Sequence, residues 1–230
     1  MTMTALFKKT VVFTLVLIPI WVFAQNDSIV NVKLPVDAEK LEVIFNYSSI
    51  TFLNTNTTKV AVGNYADAKI KKKSPSESTT KILGITYNES KYKFSIDFIN
   101  AFNQTSNVTG TKTTSNVLEK IEATMTTNSE TSKTWNLYLR IDKVDFFNLD
   151  MGSLTDGERS IKIIRSKMGR FQNIEELSEW NPETLFYEFI EDGVSLGAVS
   201  FEYGNVIWLK PDLDASTKLI VCTAMLSMAS

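Results

Sequence analysis

The sequence predicts an all-β, mainly antiparallel fold: a closed or nearly closed β-barrel of about ten to twelve strands with a buried hydrophobic C-terminal helix. Three observations predict it. Apolar residues recur with a period of two through most of the chain, glycine-bearing turns separate the runs, and one stretch near the end is apolar on every side. Period two puts one dry and one wet face on each strand, whereas parallel strands covered on both sides read as continuous apolar runs.

The first element is an address. Lys8 and Lys9 precede an uncharged apolar run from Val11 to Phe23, and Ala24 stands before the polar Gln25-Asn26-Asp27. This is the layout of a secretory signal peptide over residues 1–24, cleaved after Ala24, which leaves a single exported β-rich domain over 25–230. A run of 13 residues makes roughly 20 Å of helix, short of the ~30 Å of a hydrocarbon core, so no membrane span remains after cleavage. The expected location is the periplasm or the outside of the cell.

Charge follows from that cut. The chain carries 24 Lys and Arg against 26 Asp and Glu; without residues 1–24 the balance is 22 against 26, a net charge of −4. An acidic chain lacks the concentrated basic face that phosphate backbones require, which excludes nucleic acid as a partner.

Strand patterns follow in order at 41–47, 50–53, 60–62 and 83–87, then at Tyr92-Phe94-Ile96-Phe98, at 117–125 and at Trp135-Leu137-Leu139-Ile141. Between them, Lys69, Lys71, Lys72 and Lys73 run into Ser74-Pro75-Ser76, which reads as a solvated hairpin tip or an edge strand guarded by charge. The same lysines, Lys71, Lys72 and Lys73, are a candidate binding patch for anionic lipid headgroups or an envelope polysaccharide. Residues 100–116 are rich in Asn, Thr and Ser with few apolar side chains, and read as a polar loop or a seam between two halves.

Asp150 to Glu158 reads as a turn around a glycine, since it lacks the alternating ligands of a calcium loop. After a strand at 161–164, Asn173 and Glu176 form a capping-box pattern that opens one short helix ending at Trp180-Asn181-Pro182. Residues 185–209 read as a three-stranded meander with turns at Glu191-Asp192-Gly193 and Tyr203-Gly204-Asn205. In its middle strand Val194, Leu196 and Ala198 share one parity and Val199, Phe201 and Tyr203 the other, so a bulge near Gly197 to Val199 restores the register.

Asp214 then caps a helix over 215–229, where Leu219, Ile220, Val221, Cys222, Ala224, Met225, Leu226 and Met228 leave no polar face. A helix apolar all round is buried all round. The lone cysteine, Cys222, sits among these residues and reads as inert packing.

Strands at Phe186–Ile190, Gly197–Phe201 and Val206–Leu209, followed by the helix Leu219–Met228, make the chain resemble the tubby C-terminal-like fold, in which a closed barrel encloses a central hydrophobic helix. Members of that superfamily are associated with phosphoinositide binding or phospholipid scrambling, usually on the cytoplasmic side. An exported acidic chain departs from that setting, and no lipid-binding residue of the superfamily matches a position here. The resemblance implies a fold and no site.

Chemistry narrows by exclusion. The sequence has no histidine, which excludes Ser-His-Asp and Cys-His triads and His-ligated zinc. No phosphate loop, dinucleotide fingerprint, paired-cysteine site or Gly-x-Ser-x-Gly elbow is present. Catalytic residues, cofactors and metals are therefore expected to be none. Glu188 and Glu202 on facing strands are the one candidate carboxylate pair for a hydrolase of envelope polysaccharide, and Asp150, Asp156, Asp212 and Asp214 are the acidic residues weighed for calcium. Trp180 and Trp208 are candidate sugar-stacking rings, with packing as their other reading. The expected function is an exported binding or structural module and not an enzyme. A lipid-handling protein with a cavity beside the C-terminal helix and the carboxylate hydrolase are the alternatives.

Overall fold

A computed structural model describes residues 38–46, 55–82, 85–128, 133–143, 150–167, 185–201 and 205–229. The signal peptide, the strand at 50–53, the short helix at Asn173–Trp180, and Trp180 and Glu202 themselves lie outside the described residues.

Among the described residues thirteen strands and one helix follow in chain order. They are β1 (Glu39–Asn46), β2 (Thr55–Val62), β3 (Ala66–Lys73), β4 (Ser76–Ile82), β5 (Ile85–Asn100), β6 (Thr105–Ser115) and β7 (Leu118–Thr127). Next come β8 (Thr134–Asp142), β9 (Asp150–Thr155), β10 (Ser160–Lys167), β11 (Leu185–Glu191), β12 (Val194–Ser200), β13 (Val206–Leu209) and α1 (Ala215–Met228).

Each strand pairs antiparallel with its neighbours, β1 pairs with β13, and β3 skips β4 to pair with β5. The result is a closed ring of twelve strands with β4 as an outgrowth on β5. Closure removes the edges that an open sheet would expose.

Alternation sets what fills the ring. Ile121, Ala123 and Met125 on β7, Trp135, Leu137 and Leu139 on β8, and Phe94, Ile96 and Phe98 on β5 all point inward and are buried. They meet α1, whose residues from Leu219 to Met228 are all buried. Asp214 caps the helix as its sequence position predicts, accepting from the Thr217 amide at 2.9 Å and from the Thr217 hydroxyl at 2.6 Å. Within the helix the two inward hydroxyls find backbone acceptors, Thr223 at the Leu219 carbonyl and Ser227 at the Thr223 carbonyl, so neither leaves an unpaired donor in the lumen.

The outer faces of β5 to β8 carry Lys, Glu, Thr, Asn and Arg. A membrane barrel wears its apolar band outside and its polar groups within; strands β5 to β8 have the opposite arrangement. Strands β10 to β13 differ, because their outward residues Ile164, Phe186, Ala198, Val206 and Trp208 are buried as well. Not every polar strand residue faces water either: Glu188, outward on β11, is 0 % exposed.

Several expectations need correction. Residues 100–116 are not a loop: a tight turn at 101–104 leads into β6, eleven residues paired with β5 and β7. Threonine makes it look like a loop, yet its branched side chain suits a pleated strand. The inward series Ser106, Val108, Gly110 and Lys112 is short on apolar bulk because space there is already taken. A Cβ on Gly110 would lie 2.6 Å from the Phe94 ring and 2.7 Å from Ala123.

Asp150–Thr155 is strand β9, and the turn falls only after it, where Asp156 accepts the amides of Glu158 and Arg159. The lysine run is no edge strand, since β3 has partners on both sides. The bulge in the meander sits at Leu196, between Ser195 facing Ile190 and Gly197 facing Phe189. The turn at Asp192-Gly193 has φ of 49° and 78°, the left-handed pair that a two-residue hairpin demands.

Candidate functional site

The barrel has two unlike rims. The first, at the N-terminal end of α1, includes the turns after β2, β5, β9, β11 and β13 and the end of the β7–β8 connection at Lys133. There Arg159 clamps both carboxylate oxygens of Glu191 from Nε and Nη2 at 2.8 Å each, donates from Nη1 to the Thr217 hydroxyl at 3.2 Å and lies over the Trp135 ring. Lys218 of the helix pairs with Glu39 of β1 at 2.9 Å. Lys133 meets Asp156 and Glu158. Each charge named here has an opposite partner, and two of the acids at this rim, Asp156 and Asp214, are held below the ordinary carboxylate value. In both, burial works to raise the carboxyl, but hydrogen bonds from neighbouring amides and side chains outweigh it.

The second rim, at the C-terminal end of α1, is built otherwise. On β3 the parity that buries Ala66, Ala68 and Ile70 carries Lys72 inward, half-buried, while Lys71 and Lys73 point out. Lys71 pairs with Asp97 at 3.1 Å on the exposed wall. On β6 the same parity brings in Lys112, whose ammonium meets Glu119 at 2.8 Å and the Met228 carbonyl at 3.3 Å. The second contact places a cation at the negative end of the helix dipole. Lys72 lies 6.0 Å from the centre of the Tyr92 ring.

Among the described residues no carboxylate lies within ion-pair distance of Lys72. Burial, then the nearby Lys112 charge, lowers its pKa from the ordinary 10.5. Burial, then Glu119, pushes the Tyr92 hydroxyl up to about 12.

Lys72 forms one wall of a pocket of about 210 Å³. Ile70, Phe45 and Phe201 supply its apolar surface, the two rings standing 6.3 Å apart, while Thr58 and Asn205 add polar groups and Ala229 follows the helix end. One ammonium, one hydroxyl and one amide against an apolar floor can hold an anion and the carbon skeleton attached to it.

Two outer grooves are larger. One of about 510 Å³ crosses Thr109, Thr124, Asn136 and Tyr138, and one of about 350 Å³ runs along Lys59, Asp67, Lys69 and Asp97. Both are open stretches of solvated strand face, where threonine and paired charges are what strand chemistry favours.

The remaining sequence candidates fall apart in space. Trp208 is 5 % exposed with its ring 5.2 Å from that of Phe186, an environment of packing that offers no free ring face. Glu188 stands between Ile164 and Ala198 in register, and Glu202, its candidate partner, is not described. Asp150 pairs with Lys162, Asp212 with Lys210, and Asp214 caps the helix. Among the described residues no three His, Cys, Asp or Glu side chains gather as metal ligands. Cys222 is fully buried and its thiol pKa is driven up by that burial.

Sequence reasoning missed Phe45, Tyr92, Lys112, Glu119 and Phe201 as site residues. The signal was parity, since Lys72 extends the inward series of β3 and Lys112 that of β6. No family model, curated protein or solved structure matches this chain.

Proposed function

We propose that the chain is an exported, non-enzymatic binding module that recognises a small anionic molecule with an apolar part at the second rim. The observation that carries the reading is Lys72: a half-buried ammonium, lowered in pKa, lining an apolar pocket without a carboxylate partner among the described residues. A charge removed from water without a counterion is destabilising, and a bound anion would relieve it. The helix occupies the lumen, so recognition belongs at the rim. A volume of about 210 Å³ is below the roughly 300–1,000 Å³ of drug-sized sites, which favours a short carboxylate or the end of a longer chain.

The same pocket supports the lipid-handling alternative, because it lies beside the helix terminus and the barrel architecture is the one implied by the resemblance to tubby C-terminal-like proteins. A hydrolase gains nothing comparable.

The test is calorimetry with a series of straight-chain carboxylates from acetate to decanoate. Affinity is expected to rise with chain length, then level once the pocket is full. Lys72→Met should abolish binding while Lys71→Met leaves it intact. Equal loss in both variants, or no binding by the parent, would sink the reading. Affinity should fall as pH rises through the lowered Lys72 value, because the ammonium form is the one that binds.

A further inference from the structure

Strand β4 is the exception in a barrel without edges. Residues Ser76–Ile82 pair with Ile85–Lys91 of β5, and among the described residues β4 has no partner on its other side. The β4–β5 hairpin therefore runs past the second rim, and every side chain from Ser76 to Lys81 is exposed. An unpaired row of amides and carbonyls is a template for another strand.

Natural edges are usually guarded by charge that repels an incoming copy. The charges of β4 are arranged for the reverse. Its sequence is Ser76-Glu77-Ser78-Thr79-Thr80-Lys81, with one acid and one base placed evenly about Thr79. A second β4 laid antiparallel with Thr79 opposite Thr79 puts Glu77 opposite Lys81 twice and Ser78 opposite Thr80 twice. Threonine pairs and opposite charges across strands are each favourable by about 0.2–1 kcal/mol. Among the described residues neither Glu77 nor Lys81 has an ion-pair partner, and both side chains are exposed.

We infer that two copies of this chain associate through β4, in a two-fold antiparallel strand pair centred on Thr79 that joins the hairpins into one four-stranded sheet. The geometry permits it, because antiparallel pairing sends the two barrels to opposite ends of the shared strands. Pro75, which cannot donate, limits the ladder at its base. A two-fold interface uses one patch twice, and a self-complementary strand is such a patch. Seven residues bury less than a standard interface, so the dimer is weak, dissociable and favoured by high protein concentration. This association is independent of the pocket at the second rim.

The experiment is sedimentation across a wide concentration range, on the parent and three charge variants. The parent should show a monomer–dimer equilibrium that weakens as salt rises. Glu77→Lys and Lys81→Glu each turn two attractive pairs into two repulsive ones, and should weaken association about tenfold or more. The double variant E77K/K81E should dimerise like the parent, because exchanging the charges keeps the symmetry. An equimolar mixture of the two single variants should form a heterodimer although each alone is monomeric, a gain that misfolding cannot produce. A parent that stays monomeric throughout, single variants that dimerise as well as the parent, or a mixture that fails to associate would overturn the proposal.

Discussion

The two ends of one barrel solve the same problem differently. At the first rim the strands turn back tightly and Arg159, Lys133 and Lys218 are each matched to acids, so helix and wall are tied by saturated hydrogen bonds. At the second rim two lysines face one glutamate, the helix ends beside a pocket, and a hairpin runs on past the ring. The contrast separates two uses of charge. Matched charge in a partly buried network fixes structure, while unmatched charge is tolerated at a cost that a ligand could remove.

The largest effect should come from removing what both rims share. A chain stopped before Ala215 loses the helix that fills the ring and should not melt cooperatively by circular dichroism; a soluble, cooperative truncation would end the comparison. With the helix in place, Cys222 should resist alkylating reagents, and rapid labelling would show the helix exposed.

Next in size, Arg159→Ala at the first rim should cost about 1–2 kcal/mol in denaturant unfolding, below the ~3–5 of a fully buried pair because the arginine side chain is 39 % exposed. A cost under about 0.5 kcal/mol would mean that the clamp does not hold this end.

Third, Asp214→Ala should cost about 1 kcal/mol as a lost cap. Its acid behaviour is diagnostic: the folded carboxyl lies below the ordinary 3.8. The stability it contributes is fully present above that value and is lost as pH falls through the folded one. The variant should therefore lose stability less steeply in acid than its parent, and an unchanged slope would move the acid sensitivity elsewhere.

The smallest effect should be Lys72→Met at the second rim, within about 0.5 kcal/mol of the parent or slightly more stable at pH 7, since it removes an unmatched cation. Because the Lys72 value is lowered by folding, the unfolded chain holds more protons between the folded value and 10.5, and stability should rise with pH in that window. The methionine variant should flatten that rise. A destabilisation as large as that of Arg159→Ala would erase the difference between the rims.

What the sequence made legible was the wall and its filling. Period two located most of the described strands, Asp192-Gly193 announced its turn, and the uniform apolar run with Asp214 before it announced the helix. The misreadings share a cause. Strand β6 passed for a loop because its outer face is threonine and its inner face is thinned by Ser106 and Gly110, so the dry stripe that marks a strand was missing. Lys72 passed for a solvated residue because it sits between two lysines that are solvated. A one-residue run says nothing about facing until the strand around it is identified. Which turns meet at which rim depends on ring order, and no local pattern carries the pairing of β1 with β13 or the step from β3 to β5.

That first-to-last pairing has a consequence in time. Strand β1 pairs with its neighbour β2 early, but its second partner comes only at Val206–Leu209, and the filling arrives later still, at Ala215–Met228. As the chain emerges from its N-terminus, hairpins from β5 to β9 can form locally, but the ring cannot close around a core until nearly all of it is present. Contacts between distant ends slow folding. Such a protein stays an open string of hairpins until nearly all of its chain has been made, and sets only when its last strand and helix arrive together.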